Sequence, residues 1–559
     1  MGAEGVLRKF GDLLNALSTR KAVKYTLYAS SVAVFFGLIL LPPILGIFTK
    51  LGAIGQVTSQ TALVNRVYSA VLNSFAVGLA VALCDVAAGI PMAWLITRGK
   101  SKWLNVLDTL ADVPFIVPTS ALGYSLLLFW SKPGGVSLLL SQPLLSPGWL
   151  LVAVLHFTFS YPVVVRVVVG ALLDYKVEYE RAARTLGAAP LTAARTVTFP
   201  ILKPSLIAAF TLALARSLSE TGATFMVAGA FENGPVFLQN MKNEYASGLM
   251  STSTYEGAMA FASLVLIASS LGVFALVRVF AQKVKLPFGT GLPAYEKKLS
   301  YAKAAFSRDA ATMTVFLIVI LLPSLFVALP AVYAASSGIL GEAFAGAGIW
   351  RDYWWSIAVS FVVAGSVTLL GLLCGLPMAI LIARRKFGAA ASTVMDTLVN
   401  VPLIVPSIAL GVSLKFFWQG VAGVPELLLL VFAHLSITYP YLVKSISAAL
   451  ERISVDAEDA AKTLGAKPLK VFTTIVFPLT KYSVLSGAIM VFTRSISETG
   501  ATLAVADKLP TAPVIIVNWV KGTVQASPAE IGLGCGILIM LSFIILLLLR
   551  LLTRGKERY

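Results

Sequence analysis

Charge is what this chain has least of. Of its 559 residues only 13% are Asp, Glu, Lys or Arg, while 58% are hydrophobic. A soluble domain has about a quarter of its residues charged. The shortage therefore excludes that class and selects a membrane protein before any motif is read. The three cysteines, Cys84, Cys374 and Cys535, all lie in apolar runs. They argue against a disulfide framework and against a cysteine metal site. The two histidines, His156 and His434, are too few for a histidine-rich metal site. The G-x-x-x-x-G-K-[ST] phosphate loop is missing as well. Its nearest approach, Gly99-Lys100-Ser101, has Trp94 where the first glycine belongs. The sequence thus predicts no catalytic residue, no metal site and no cofactor held by this chain.

What is present is apolar length. A helix needs roughly 20 apolar residues to cross a bilayer. Runs of that size fall near 25–48, 70–96, 108–131, 149–173, 204–229 and 257–280, and again near 311–335, 355–383, 396–419, 426–450, 482–506 and 530–552. The first follows Arg8, Lys9, Arg20, Lys21 and Lys24 and is too long for a cleaved signal peptide, so it reads as a retained span. The expected fold is an all-α membrane protein of about 12 transmembrane helices. Several runs hold Pro or Gly, which membrane helices tolerate when neighbours satisfy the freed backbone groups.

Orientation follows from Lys and Arg. With a cytoplasmic N-terminus, the inside segments are 1–24, 97–107, 174–203, 281–310, 384–395, 451–481 and 551–559, and they hold most of the 44 basic residues. Outside remain Lys50, Arg66, Lys132, Lys242, Arg351, Lys508 and Lys521. This places both termini in the cytoplasm of a multi-pass cell-membrane protein. It also accounts for the net charge of +18 without nucleic acid as a partner.

The chain is a tandem repeat. DTLADVPFIVPTSALGYSL (108–126) matches DTLVNVPLIVPSIALGVSL (396–414), HFTFSYP (156–162) matches HLSITYP (434–440), and SETGAT occurs at 219–224 and 497–502. The first pair is offset by more than the others, so the first half carries extra residues in the outside loop near 131–148. Six spans per half make both halves enter from the same side, with a pseudo-two-fold axis along the membrane normal. The expected division is residues 1–280, a polar cytoplasmic linker at 281–310, and residues 311–559.

The inside loops 174–203 and 451–481 are also twins. ERAARTLG at 180–187 answers EDAAKTLG at 458–465, and Gly187–Pro200 and Gly465–Pro478 keep one spacing. Each reads as a short helix, a glycine turn, and a return to the membrane at a proline near a helix start. A generic headgroup-bound helix would explain one copy; two copies at fixed spacing ask for more. These loops resemble the EAA motif of the permease subunits of type I ATP-binding-cassette importers. In that register the motif falls on Arg181-Ala182-Ala183 with Gly187 and Pro200, and on Asp459-Ala460-Ala461 with Gly465 and Pro478; Glu180 and Glu458 sit one residue earlier. The resemblance implies coupling helices that dock on two separate ATPase subunits, where ATP and Mg are bound. It also implies an extracytoplasmic solute-binding protein.

Two arginine–glutamate pairs, Arg216 with Glu220 and Arg494 with Glu498, fall inside the fifth spans. At ~1.5 Å per residue, Arg216 lies roughly 18 Å above the cytoplasmic end. Such groups line a wet path or neutralise each other. Facing pairs across the repeat axis favour the translocation path. Asp85 and Lys415 lack counterparts in the repeat, Asp112 is matched by Asn400, and the two histidines are expected to bond between helices. Pro114, Pro118, Pro402 and Pro406 are expected to kink the third spans.

The implied function is the permease of an ATP-driven, binding-protein-dependent importer working by alternating access. The fused layout is similar to iron(III) and thiamine importers. ARSLSETGAT and TRSISETGAT look like the fifth-span segment of molybdate, tungstate and sulfate permeases, with Thr221 and Thr499 in place of the usual Phe. The alternative is an ion-gradient-driven secondary transporter, which explains the span count but not the doubled cytoplasmic motif.

Overall fold

A computed structural model describes residues 15–553 except 100–102, 133–134, 137–141, 281–282, 284–290, 292 and 422. Arg8, Lys9, Lys100, Ser101, most of 281–292 and the end of 551–559 therefore lie outside the described residues, which otherwise form helices and connections. In the first half these are α1 (Lys21–Thr58), α2 (Thr61–Arg98), α3 (Val106–Phe115), α4 (Thr119–Trp130), α5 (Trp149–Asp174), α6 (Glu178–Thr185), α7 (Pro190–Ser219), α8 (Gly222–Val227), α9 (Gly234–Ala246) and α10 (Thr252–Phe280). The linker holds α11 (Pro293–Leu299). The second half repeats the plan as α12 (Lys303–Ser336), α13 (Ile349–Ala383), α14 (Ala389–Ile404), α15 (Ser407–Gln419), α16 (Glu426–Glu451), α17 (Val455–Thr463), α18 (Pro468–Ile496), α19 (Gly500–Val505), α20 (Ala512–Lys521) and α21 (Pro528–Thr553).

Among the described residues ten helices are long and apolar enough to cross a membrane, and 12 spans result only if each bent third span counts as one. The third spans bend by 102° between α3 and α4 and by 104° between α14 and α15. Pro118 and Pro406 sit at those bends, because proline disfavours a helical residue before it and lacks an N–H. The fifth spans also differ from the expected 204–229 and 482–506. Their helices begin earlier, at Pro190 and Pro468, and stop at Ser219 and Ile496, leaving α8 and α19 as separate short pieces.

Four π-helical turns precede prolines: Phe35–Leu40 before Pro42, Ala194–Thr198 before Pro200, Phe316–Leu321 before Pro323 and Phe472–Val476 before Pro478. A widened turn absorbs the missing N–H and the ring clash with the preceding turn. So Pro200 and Pro478 lie within continuous helical runs and not at their starts.

The first span of each half packs on the other half. Phe35, Ile39 and Ile47 share a buried cluster with Tyr439, Leu442 and Ile446, while Phe316 and Ile320 share one with Tyr161, Val164 and Val168. The contacts repeat across the axis. Phe35 stacks on Tyr439 with centroids 5.8 Å apart, and Phe316 on Tyr161 at 6.4 Å. Thr158 Oγ1 donates to Val319 O at 3.4 Å and Ser436 Oγ to Leu38 O at 3.5 Å, both π-turn carbonyls. Ser125 Oγ donates to Pro323 O (2.6 Å) and accepts from Val327 N (2.8 Å), and Ser413 Oγ accepts from Ile47 N (3.2 Å). Irregular backbone within a membrane survives only where protein satisfies it, and these serines do so.

At the second crossing Gly46 meets backbone: a Cβ there would lie 1.7 Å from Ser413 O, whereas one on Gly37 meets nothing within 4 Å. Gly46→Val is therefore expected to lower the melting temperature in detergent, and Gly37→Val to leave it near that of the wild type. Overpacking against backbone costs about 1–3 kcal/mol or more. Equal melting of the two variants would contradict the swapped packing.

Candidate functional site

The twin loops 174–203 and 451–481 are built alike. The α6 helix ends in a 6→1 bond from Ala188 N to Ala183 O (3.2 Å), with Gly187 at φ +93°. The α17 helix ends in the same bond, from Ala466 N to Ala461 O (3.0 Å), with Gly465 at φ +84°. This left-handed glycine cap lets the chain turn sharply while satisfying the last carbonyls. The acid that matters is one residue before the expected motif position. Glu180 is buried and pairs with Arg98 at 3.7 Å, and Glu458 pairs with Arg384 at 2.7 Å. Arg181 and Asp459 are exposed, and Asp459 pairs with Lys462 at 2.7 Å. That pairing holds the Asp459 carboxyl below the usual carboxylate range. The glutamates thus fasten each short helix to the C-terminal end of the second span. The helix tips are apolar and bare: Leu186 is 90% exposed and Leu464 89%.

Each loop is also held by a segment preceding a first span. Leu191 N donates to Ser300 Oγ and Leu469 N to Ser18 Oγ, both at 3.3 Å. The linker adds an ion pair to one of them: Glu296 of α11 takes Arg195 and accepts from Thr192 Oγ1 at 2.6 Å. Arg195 and Thr192 hold the Glu296 carboxyl below its ordinary value.

From these loops α7 and α18 rise toward the pseudo-two-fold axis, carrying Arg216 and Arg494 close enough to feel each other's charge. The helices end just beyond them, so Glu220, with ψ 131°, is not on the same helix as Arg216. The two arginine–glutamate pairs are unequal. Arg494 meets Glu498 at 2.7 Å and lies beside the Tyr441 hydroxyl. Among the described residues Arg216 forms no ion pair: its guanidinium lies 5.3 Å over the Phe159 ring, and its Nε is buried without a hydrogen-bond partner. The first half has Val163 where Tyr441 stands in the second.

Histidines brace the break beyond these arginines. His156 bonds Ser217 Oγ and Thr224 Oγ1 at 2.8 Å, and His434 bonds Ser495 Oγ and Thr502 Oγ1 at 2.9 Å. With both ring nitrogens engaged, neither histidine has a site free for a ligand.

Beyond the break, on the side away from the twin loops, the halves meet. Thr119 Oγ1 donates to Ser497 O and Ser407 Oγ to Ser219 O, both at 3.2 Å, and Gly222 N donates to Thr499 Oγ1 at 3.2 Å. The outer end of α19 is clamped by the other half: Lys242 Nζ donates to Leu503 O (2.7 Å) and Ala506 O (3.0 Å) and pairs with Asp507 at 3.1 Å. Lys415 completes that cluster, 2.7 Å from Asp507, a partner that the sequence did not reveal. Across the axis Lys521 sits 4.1 Å over Phe225 of α8, and the extra loop of the first half caps α8 through Gly148 N and Val227 O at 3.0 Å. Asp85 and Asp112 also find partners within the first half, Asp85 in Ser160 and Asp112 in Arg166.

Residues 85–286 and 371–555 both match the sequence model of the binding-protein-dependent transport system inner membrane component. Similar proteins include the sulfate transport system permease protein CysT of Salmonella typhimurium, 32% identical over 269 residues, 47% of this chain and 94% of the relative. The molybdenum transport system permease protein ModB of Escherichia coli is 30% identical over 221 residues, 37% of this chain and 96% of the relative. The molybdate/tungstate transport system permease protein WtpB of Pyrococcus furiosus is 31% identical over 203 residues, 36% of this chain and 79% of the relative. Each covers less than half of this chain, consistent with two tandem permease halves here against one in each relative.

The unequal pairs make a stability prediction. Glu498→Gln strands the Arg494 charge within the bundle and is expected to cost about 3–5 kcal/mol, as loss of one partner of a buried ion pair does. Glu220→Gln removes no ion pair and is expected to cost far less. Thermal melting of both purified variants checks the order, and equal losses would contradict it.

Proposed function

The chain belongs to the family of binding-protein-dependent transport system inner-membrane components, and on that premise we propose that it is the fused permease of an ATP-driven importer for a small tetrahedral oxyanion. The observation that carries the coupling part is the pair of glycine-capped helices α6 and α17, each fastened to its own second span and presenting a bare leucine. An exposed leucine at a rigid helix tip is a surface for a partner's cleft. Two such tips at pseudo-symmetric positions suit two copies of one ATPase subunit, which would bind ATP and Mg. The basic residues then mark the cytoplasmic face, and a solute-binding protein would deliver its load at the opposite side.

In this mechanism ATP binding draws α6 and α17 together. Glu180–Arg98 and Glu458–Arg384 pass the displacement to the second spans, and the seam at Gly222–Thr499 parts while the swapped first spans keep the lobes joined. Hydrolysis lets the seam close again. The oxyanion assignment rests on two supports. The relatives named above are described as sulfate, molybdenum and molybdate/tungstate permeases. The central charges leave one cation, Arg216, unlocked for an anion, while Arg494 is held by its own glutamate. Iron(III) fits less well, since among the described residues no cluster of three His, Cys, Asp or Glu could hold a metal ion.

The test is a pull-down of the tagged chain in mild detergent with mass spectrometry, beside uptake of sulfate, molybdate and tungstate. An ATPase at two copies per chain and ATP-dependent uptake of one of these anions are expected. Gly187→Asp with Gly465→Asp is expected to abolish uptake while lowering melting only slightly. A Cβ at either position meets nothing within 4 Å, so only the left-handed cap is strained. Uptake without any ATPase, driven by an ion gradient, would overturn the proposal.

A further inference from the structure

The tightest closure on the pseudo-two-fold axis is made by four residues of the two SETGAT segments, Thr221, Gly222, Thr499 and Gly500. A Cβ on Gly222 would lie 2.3 Å from Thr499 Oγ1, and one on Gly500 would lie 2.6 Å from Thr221 Oγ1 and 2.4 Å from Ser407 Oγ. No atom larger than hydrogen fits between them. All four are buried. The two threonines are equivalent by repeat but not by bonding. Thr499 Oγ1 accepts the Gly222 N–H at 3.2 Å, whereas Thr221 Oγ1 is buried with no hydrogen-bond partner. A buried hydroxyl without a partner is unfavourable and uncommon in a native core. Here it lies against Gly500 of the opposite half, five residues after Arg216, whose Nε, like that of Arg494, also lacks a hydrogen-bond partner.

Resting on the oxyanion-importer reading above, we propose that Thr221 and Thr499 are the specificity-determining residues of the path, a pair of hydroxyl donors through which the oxyanion passes when the lobes part. The argument is geometric first. If the halves separate about their shared axis, whatever moves between them along that axis must pass these two side chains. The chemistry follows. An oxyanion that sheds water in a narrow passage needs hydrogen-bond donors in exchange. A hydroxyl rotates to donate, or to accept when the passage is shut, so one group serves both states. In the closed state Thr499 spends its lone pair on Gly222, and in the open state the same hydroxyl is free to turn its hydrogen to the anion. The charge comes from Arg216, deeper in, so the threonines can distinguish anions by size and donor geometry without holding them tightly. Glycines at 222 and 500 are what let the backbones close on these hydroxyls.

The experiment uses the complete transporter, this chain with its ATPase and binding protein, in proteoliposomes, and follows uptake of radiolabelled sulfate and of molybdate and tungstate. Thr221→Val with Thr499→Val keeps shape and β-branching and removes both hydroxyls. Thr221→Ser with Thr499→Ser keeps the hydroxyls and removes the methyls. The valine pair is expected to retain the ATPase in a pull-down while uptake of each anion carried by the wild type falls about tenfold or more, the scale of a lost hydrogen bond to a charged group. The serine pair is expected to carry the anion near the wild-type rate with altered preference among the three. Wild-type uptake by the valine pair, or equal loss in the serine pair, would overturn the assignment. A wild-type transporter that carries none of the three would instead remove the oxyanion reading itself, and this assignment with it.

Discussion

The structure depends on irregular backbone being satisfied inside a membrane. A lipid environment offers no water to an unpaired carbonyl, so each helix break must be answered by protein. Here each first span breaks at prolines, and the other half answers: Ser125 serves the break at Pro323 and Ser413 the one that follows Pro42 and Pro43. The first spans are thereby committed to the opposite halves. Two lobes result, each built from both halves of the chain. A span of each half is embedded in the other lobe, which ties the two lobes together.

The same constraint shapes the centre. Each fifth span ends inside the bundle, and the histidine brackets fix how the short helix beyond departs. The breaks bring glycine and threonine backbones to the axis, where continuous helices would present only side chains. They also allow duplicated sequence to do unequal work. Glu498 locks Arg494, yet Glu220 leaves Arg216 over an aromatic face. The linker clamps one of the twin loops through an ion pair of Glu296, while among the described residues Ser18 meets the other through a hydrogen bond. A fused chain can hold such differences, whereas two copies of one half-sized subunit would have to be alike.

Much of this was legible in the sequence, for identifiable reasons. Apolar length gave the spans, the repeats gave two halves, and Gly187 and Gly465 marked the caps because only glycine takes φ near +90° without strain. The buried arginine–glutamate residues stood out because charge is costly there. The first-span swap was not legible: an apolar helix carries no address, and its partner is set by a few serine–carbonyl contacts hundreds of residues away. The helix ends at Ser219 and Ile496 were hidden because SETGAT contains no proline and reads as a continuation. Which residue of the doubled motif faces inward was not legible either, since motif register cannot show that Glu180 and Glu458 pair with the arginines ending the second spans while Arg181 and Asp459 are exposed.

The central claim is that the path runs along the axis through the seam between the two SETGAT segments. Placing Thr221→Cys and Thr499→Cys in one chain and following uptake before and after oxidation tests it most directly. The account predicts that the disulfide stops uptake and that a reductant restores it. Uptake at the unoxidised rate from a fully cross-linked transporter would show that the seam need not open, and would contradict the account.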